Sequence, residues 1–274
     1  MGDAVYQNLK NTISYDIDKD LSDVDSLSEL CARCKLIYVC LPTPMNSDGS
    51  ADLSIIWDVM KEADEYATCE NIFVLKSTVP PGTCERALNM TENINLVFSP
   101  EFLTEAKYIS DFKNCNRVIY GGRPNHTRMC IEHMRSEYPN KHYVMTNHKT
   151  AEMIKYFTNN LLSVRISFAN EMRQICEAIG VSYGEVKDIA ILDERISNSH
   201  LDTPGPDGDA GFGGTCFPKD IRAMMHFASS WGVDCKVLKA TWEKNLEVRR
   251  NKDWLTMFGR AVTLPNEPVE EGEK

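Results

Sequence analysis

Gly211-Phe212-Gly213-Gly214-Thr215-Cys216-Phe217-Pro218-Lys219-Asp220 sets three glycines within four residues, then a cysteine, then a helix start. Such a glycine run frees the backbone for positive φ and lets another molecule approach closely. Pro218 suits the first turn of a helix, where its missing N–H costs nothing. Lys219 and Asp220 fall in that turn. A thiol at a helix N-terminus beside a lysine has its thiolate favoured, so Cys216 is a candidate nucleophile. The competing reading is a glycine loop before an amphipathic helix, with a cysteine that merely packs.

Four more segments stand out on working outward: PTPMNSDGSADLS at Pro42–Ser54, KSTVPPGT at Lys76–Thr83, SPEFLTEA at Ser99–Ala106 and AEMIKYFTNN at Ala151–Asn160. Together with GFGGTCFPKD, and in this order, they resemble the UDP-glucose/GDP-mannose dehydrogenase family, which oxidises sugar nucleotides with NAD. Separated segments in register are more specific than any one of them, and the resemblance covers nearly the whole chain. EFLTE resembles the UDP-glucose branch more than the N-acetylmannosamine branch; the GDP-mannose branch stays open.

The resemblance implies roles position by position. Cys216 matches the nucleophile that holds the aldehyde formed midway and carries it to a thioester. Lys155 and Asn159 share one helix face and match the pair that contacts the reacting oxygen; a solvated helix lysine is the competing reading of Lys155. Asp220 matches the residue that handles water and protons beside the cysteine, and Lys219 a lysine that places substrate or tunes the thiol. Glu101 and Glu105 have counterparts that include a general base for thioester hydrolysis, with Glu105 the closer match to that base or to a structural partner; an acid-rich helix start is the competing reading. Thr78 matches a threonine that orders water or touches the cofactor. The implied substrate-binding residues are Glu101, Phe102, Leu103, Lys219, Gly213 and Arg195, the last reaching the partner's site in a homodimer. The implied NAD-binding residues are Asp16, Thr43, Thr78 and Glu105.

Composition bounds the partners. The chain has 274 residues and a formal net charge of -10, against a nucleic-acid or anionic-membrane surface, since both need a basic footprint. No apolar run approaches the about 20 residues of a membrane span, and no secretory signal opens the chain. Cys31 and Cys34 form a CxxC, but no second pair stands at zinc spacing, so no metal is expected. Ten scattered cysteines fit free thiols in a reducing cytoplasm.

The elements follow from periodicity. Asp3–Leu9 reads as a short helix and Ile13–Tyr15 as a strand ending at Asp16, placed to meet an adenosine ribose, with Asp18 as the alternative. Strands at Leu36–Leu41, Asn71–Leu75, Asn95–Phe98 and Arg117–Tyr120 alternate with helices at Asp52–Ala67 and Thr83–Met90. That alternation predicts an α/β, Rossmann-like parallel sheet, with ligands at the carboxyl ends of the strands. From Lys149 to Gly180 apolar residues recur in steps of three and four, from Ile154 through Phe157, Leu161, Phe168 and Ile175 to Ile179, predicting one long amphipathic helix. Shorter helices follow at Tyr183–Leu192 and Asp220–Trp231, and another long one at Cys235–Phe258. The predicted division is 1–146 for the NAD-binding domain, 147–264 for an all-helical domain that dimerises and carries the cysteine loop, and 265–274 for an acidic tail. PGPDGD at Pro204–Asp209 reads as a surface loop near the site.

The family pattern opens with a strand and a G-x-G-x-x-G turn, of which Gly2 alone matches a glycine. The expectation is a sheet without its first strand and a chain that binds NAD poorly. The family's third domain, which helps hold the nucleotide, is likewise not expected here. A degenerate sugar-nucleotide-binding protein and a two-electron hydroxyacid dehydrogenase are the rival functions; Cys216 argues against both.

Overall fold

The computed structural model describes residues 1–104 and 106–264. Two compact units form: Met1–Thr43 with Leu53–Thr158, and Pro44–Asp52 with the chain from Asn159 onward.

The first unit is built on a five-stranded sheet in sequential order: β1 (Leu36–Val39), β2 (Ile72–Leu75), β3 (Leu96–Phe98), β4 (Arg117–Gly122) and β5 (His142–Thr146). Around it lie α1 (Gly2–Asn8), α2 (Leu27–Arg33), α3 (Ser54–Tyr66), α4 (Thr83–Met90), α5 (Tyr108–Asn114), α6 (Pro124–Glu137) and the start of α7 (His148–Ile179). Ile-Phe-Val-Leu of β2 is buried at every position, because helices cover both faces. One face packs on Ile56 and Met60 of α3 and Cys84 and Ala87 of α4; the other packs on Cys130 and Ile131 of α6.

The sheet is mostly, not wholly, parallel. β3 and β4 pair antiparallel, with Val97 opposite Gly122 and Phe98 opposite Gly121. Alternating strands and helices do not encode strand direction; the connection after β3 ends at the sheet edge where it began, so β4 runs back. Ile13–Tyr15 is also a correction: it joins no ladder. Its backbone is spent locally. Ser14 N–H donates to the Asp23 carboxylate at 2.9 Å, Asp23 N–H donates to Ser14 O at 2.9 Å, and Asp16 N–H donates to Ser22 Oγ at 2.7 Å. Short polar side chains compete with ladders in this way.

The second unit holds the rest of α7, then α8 (Tyr183–Ala190), α9 (Phe217–Ser230) and α10 (Lys236–Val248). α7 ends at Gly180, whose φ of 75° suits glycine. α10 stops well short of Phe258. Arg249 takes an extended conformation and turns its guanidinium inward to Asp207 at 2.6 Å and Asp253 at 3.4 Å. Pro44–Asp52 joins this unit by pairing: Met45 N–H donates to Ala261 O at 2.9 Å and Thr263 N–H to Met45 O at 3.0 Å.

The long helix buries an unexpected side. Ser163, Ser167, Ala169 and Asn170 are buried, with Ser167 donating to Thr241 O of α10 at 2.9 Å. The apolar stripe faces outward: Phe157 is 64% exposed, Phe168 57% and Ile179 68%. No helix among the described residues is long and apolar enough to cross a membrane.

Candidate active site

In the second unit the glycine segment ends at Cys216, the N-cap of α9, with Pro218 in the first turn. Cys216 is exposed, while Asp220, one turn on, is 1% exposed. Both oxygens of that buried carboxylate are engaged. Lys219 Nζ lies 2.6 Å from Oδ1, and Asn159 Nδ2 donates to Oδ2 at 2.6 Å. Burial alone would lower the Lys219 pKa; the negative charge of Asp220 and the nearby Cys216 outweigh it, and the net shift is upward. Lys219 thus stays an ammonium next to the helix start that carries the thiol. Lys219, Asp220 and Asn159 form one network.

The loop ahead of Cys216 is fixed by three residues that had not been singled out. Asn245 Oδ1 accepts the Phe212 N–H at 2.6 Å, and its Nδ2 donates to Phe212 O at 3.0 Å. Asp253 Oδ2 accepts the Gly214 N–H at 3.1 Å, and Arg249 binds Asp253 and, on the Pro204–Asp209 insert, Asp207. The glycines are required for this fit. A Cβ on Gly211, whose φ is +70°, would collide with the Asn245 side chain; one on Gly213 would collide with Arg249 and Asp253. Burial gives the reason for the clamp: Asn245 stands on the covered face of α10 one turn from buried Thr241, and a polar residue there needs a partner.

In the first unit, residues gather at the carboxyl ends of the strands. Lys76 follows β2, and its ammonium lies 2.9 Å from Glu101 Oε2. Glu101 Oε1 accepts the Phe102 N–H at 3.0 Å. Lys155 Nζ donates to the Glu101 carbonyl at 2.6 Å and stands 5.5 Å from the Phe102 ring centre; Arg117 stands 4.5 Å from it. Leu103 packs beside α1 and α5. Thr43 donates to Thr78 O at 2.9 Å. Glu152, fully buried on α7, accepts the Gly82 and Cys84 N–H groups at 2.6 and 2.8 Å. It pins the Ser77–Gly82 turn to the helix that bears Lys155. Burial raises its pKa, against the hydrogen bonds from Cys84 and Gly82.

Other predicted residues stand apart from these networks. Asp16 sits in an exposed turn, accepting the Asp18 N–H at 3.0 Å. Arg195 is exposed and paired with its neighbour Asp193. Glu105 and the 265–274 tail lie outside the described residues. All ten cysteines are free.

The carboxyl edge of the sheet is where a dinucleotide would bind. Gly2, the first residue of α1, packs at the end of β1, where a Cβ on it would sit 3.7 Å from Cys40 Cβ. That places a helix start and two threonines, Thr43 and Thr78, at the edge where such sheets bind nucleotides.

Comparisons with known proteins agree. Residues 5–140 match the model of the UDP-glucose/GDP-mannose dehydrogenase family, NAD binding domain, and residues 149–247 its central domain. The chain is 34% identical over 235 residues to a UDP-glucose 6-dehydrogenase of Rickettsia conorii, covering 83% of this chain and 51% of that protein. It is 32% identical over 240 residues to UDP-glucose 6-dehydrogenase TuaD of Bacillus subtilis, covering 85% and 51%. Among solved structures, a UDP-glucose dehydrogenase from Pyrobaculum islandicum superposes with a TM-score of 0.74 at 28% identity, covering 82% of this chain and 53% of that one. The chain spans about half the length of the curated relatives it matches.

Proposed function

The chain belongs to the UDP-glucose/GDP-mannose dehydrogenase family, and from that premise we propose that it oxidises a sugar nucleotide, UDP-glucose to UDP-glucuronate, through a thioester on Cys216. The observation that carries this reading is the exposed Cys216 at the head of α9, backed by the buried Lys219–Asp220–Asn159 network.

The chain's residues divide the work. Lys155 and Asn159, one turn apart on α7, hold the C6 oxygen and steady its negative charge. Asp220, linked to Lys219, takes the proton released beside Cys216. The Cys216 sulfur adds to the C6 aldehyde, so the half-oxidised sugar cannot leave. At the carboxyl edge of the sheet Thr43 and Thr78 would hold NAD, which would supply the hydride acceptor for both oxidations. Water then releases the acid and needs an oriented carboxylate, for which Glu101 and Glu105 are the candidates.

The reading assigns NAD binding to residues 1–146 and the cysteine loop to 147–264; family matches over residues 5–140 and 149–247 support that division. A homodimer is part of the reading. The outward stripe of Phe157, Leu161, Phe168, Ile175 and Ile179 on α7 is the kind of apolar face that a second copy covers. Arg195 would then serve the neighbouring site. A cytoplasmic location accords with ten free thiols. The test is Cys216→Ala: uronate formation falls by several orders of magnitude, and wild-type rates would overturn the assignment.

A further inference from the structure

We propose that Ser77 is a positioning residue for NAD, setting the turn that presents Thr78 to the cofactor; this rests on the NAD site read above at the carboxyl edge of the sheet. Every residue involved belongs to the first unit. The ladder between β1 and β2 closes with the Lys76 N–H donating to Val39 O at 2.9 Å. Beyond it the two chains part, and a side chain takes over from the backbone. Ser77 Oγ accepts the Leu41 N–H at 2.8 Å and donates to Leu41 O at 2.7 Å. One hydroxyl thus satisfies both backbone polar groups of Leu41, as a neighbouring strand would.

Ser77 is buried and its single proton is spent on Leu41, so it has none to give a ligand. Its effect passes to the next residue. Thr78 is half-buried, and its carbonyl accepts the Thr43 hydroxyl at 2.9 Å. Farther along, Glu152 accepts the Gly82 and Cys84 N–H groups at 2.6 and 2.8 Å. The turn is therefore anchored by Ser77 where it leaves the sheet, by Thr43 beside the first proline, and by Glu152 where α4 begins. The Ser77 anchor adjoins Thr78 in the chain, so its loss moves that hydroxyl most. A hydrogen bond between Thr78 and the cofactor needs oxygens about 2.5–3.0 Å apart, and a shift of about 1 Å breaks it.

The test is calorimetric titration with NAD, up to millimolar concentration, of the wild-type chain, Ser77→Ala, Thr78→Val and the double variant. Amide exchange at the Leu41 N–H, read without ligand, reports the anchor itself. Ser77→Ala is expected to speed that exchange and to weaken NAD about tenfold, the worth of one hydrogen bond. A purely structural role would lower the urea midpoint and leave the Kd of the folded chain unchanged. Because Ser77 acts through Thr78, the double variant binds no more weakly than Thr78→Val. If Ser77→Ala does not fold, Ser77→Cys, whose thiol is a weak donor and acceptor, carries the comparison. Unchanged Leu41 exchange, an affinity within about threefold of wild type, or a further loss of about tenfold in the double variant overturns the role. If Thr78→Val alone weakens NAD, the site stands and only the role of Ser77 falls. Wild-type affinity in Thr78→Val, or a wild-type chain that takes up no NAD, overturns the site reading and this role with it.

Discussion

Replacing Asn245 by alanine tests what holds the nucleophile loop. Asn245 is fully buried and makes both hydrogen bonds of the Phe212 peptide, at 2.6 and 3.0 Å. Alanine leaves a buried N–H and a buried C=O without partners, at about 1–3 kcal/mol each. A loss of about 3 kcal/mol is therefore expected, out of the roughly 5–15 kcal/mol that holds a typical domain. With a urea slope of about 2 kcal/mol/M, the midpoint falls by about 1.5 M. Tryptophan fluorescence reads this unit well, since the tilted Trp242 and Trp254 rings have centres 5.6 Å apart and the Trp242 ring centre lies 6.3 Å from that of Phe212. The freed loop also misplaces Cys216, and displacements of about 1 Å can cost on the order of 100-fold in rate. A midpoint shift under about 0.25 M, near 0.5 kcal/mol, would refute the idea that Asn245 holds the loop.

Gly213→Ala forces a methyl into Arg249 and Asp253; uronate formation is expected to collapse, and unchanged kinetics would show that the loop yields freely. Glu152→Gln keeps one acceptor for two N–H donors, so a loss of about 1–3 kcal/mol is expected. The raised Glu152 pKa means that its stabilising contribution is fully present below the ordinary value of 4.5 and is lost as pH rises through the folded value. Urea melts across that window should slope downward with pH in the wild type and lose this component in the variant; identical slopes would contradict it. Calorimetry should find NAD affinity weaker than micromolar, because Asp16 sits in an exposed turn; a micromolar constant means that other residues hold the cofactor. Light scattering at micromolar concentration should give a dimer, and a monomer leaves the α7 stripe unexplained.

The legible parts of this molecule are those where chemistry and period coincide. The helix start at Cys216 was legible because glycine and proline each demand something of one turn. The length of α7 was legible because its steps of three and four run unbroken. Its covered side was not: periodicity marks an apolar stripe, but Ser163, Ser167 and Asn170 form the buried side within one chain. The loop clamp was missed for a related reason. Asn245, Arg249 and Asp253 meet the glycines only through packing of distant segments, and no local pattern encodes a bond from Asn245 to Phe212. Ile13–Tyr15 has strand composition, yet Asp23 and Ser22 captured its backbone. Lys76 and Glu152 stood in plain view within recognised segments; their roles depend on burial, which residue type alone does not disclose.

The stoichiometry of NADH formed per UDP-glucose consumed, at millimolar NAD, tests the Cys216 thioester most directly. Two NADH per sugar nucleotide, with uronate as product and neither formed by Cys216→Ala at comparable rate, is the expected result. One NADH with free aldehyde, or two with Cys216→Ala at the wild-type rate, would contradict it.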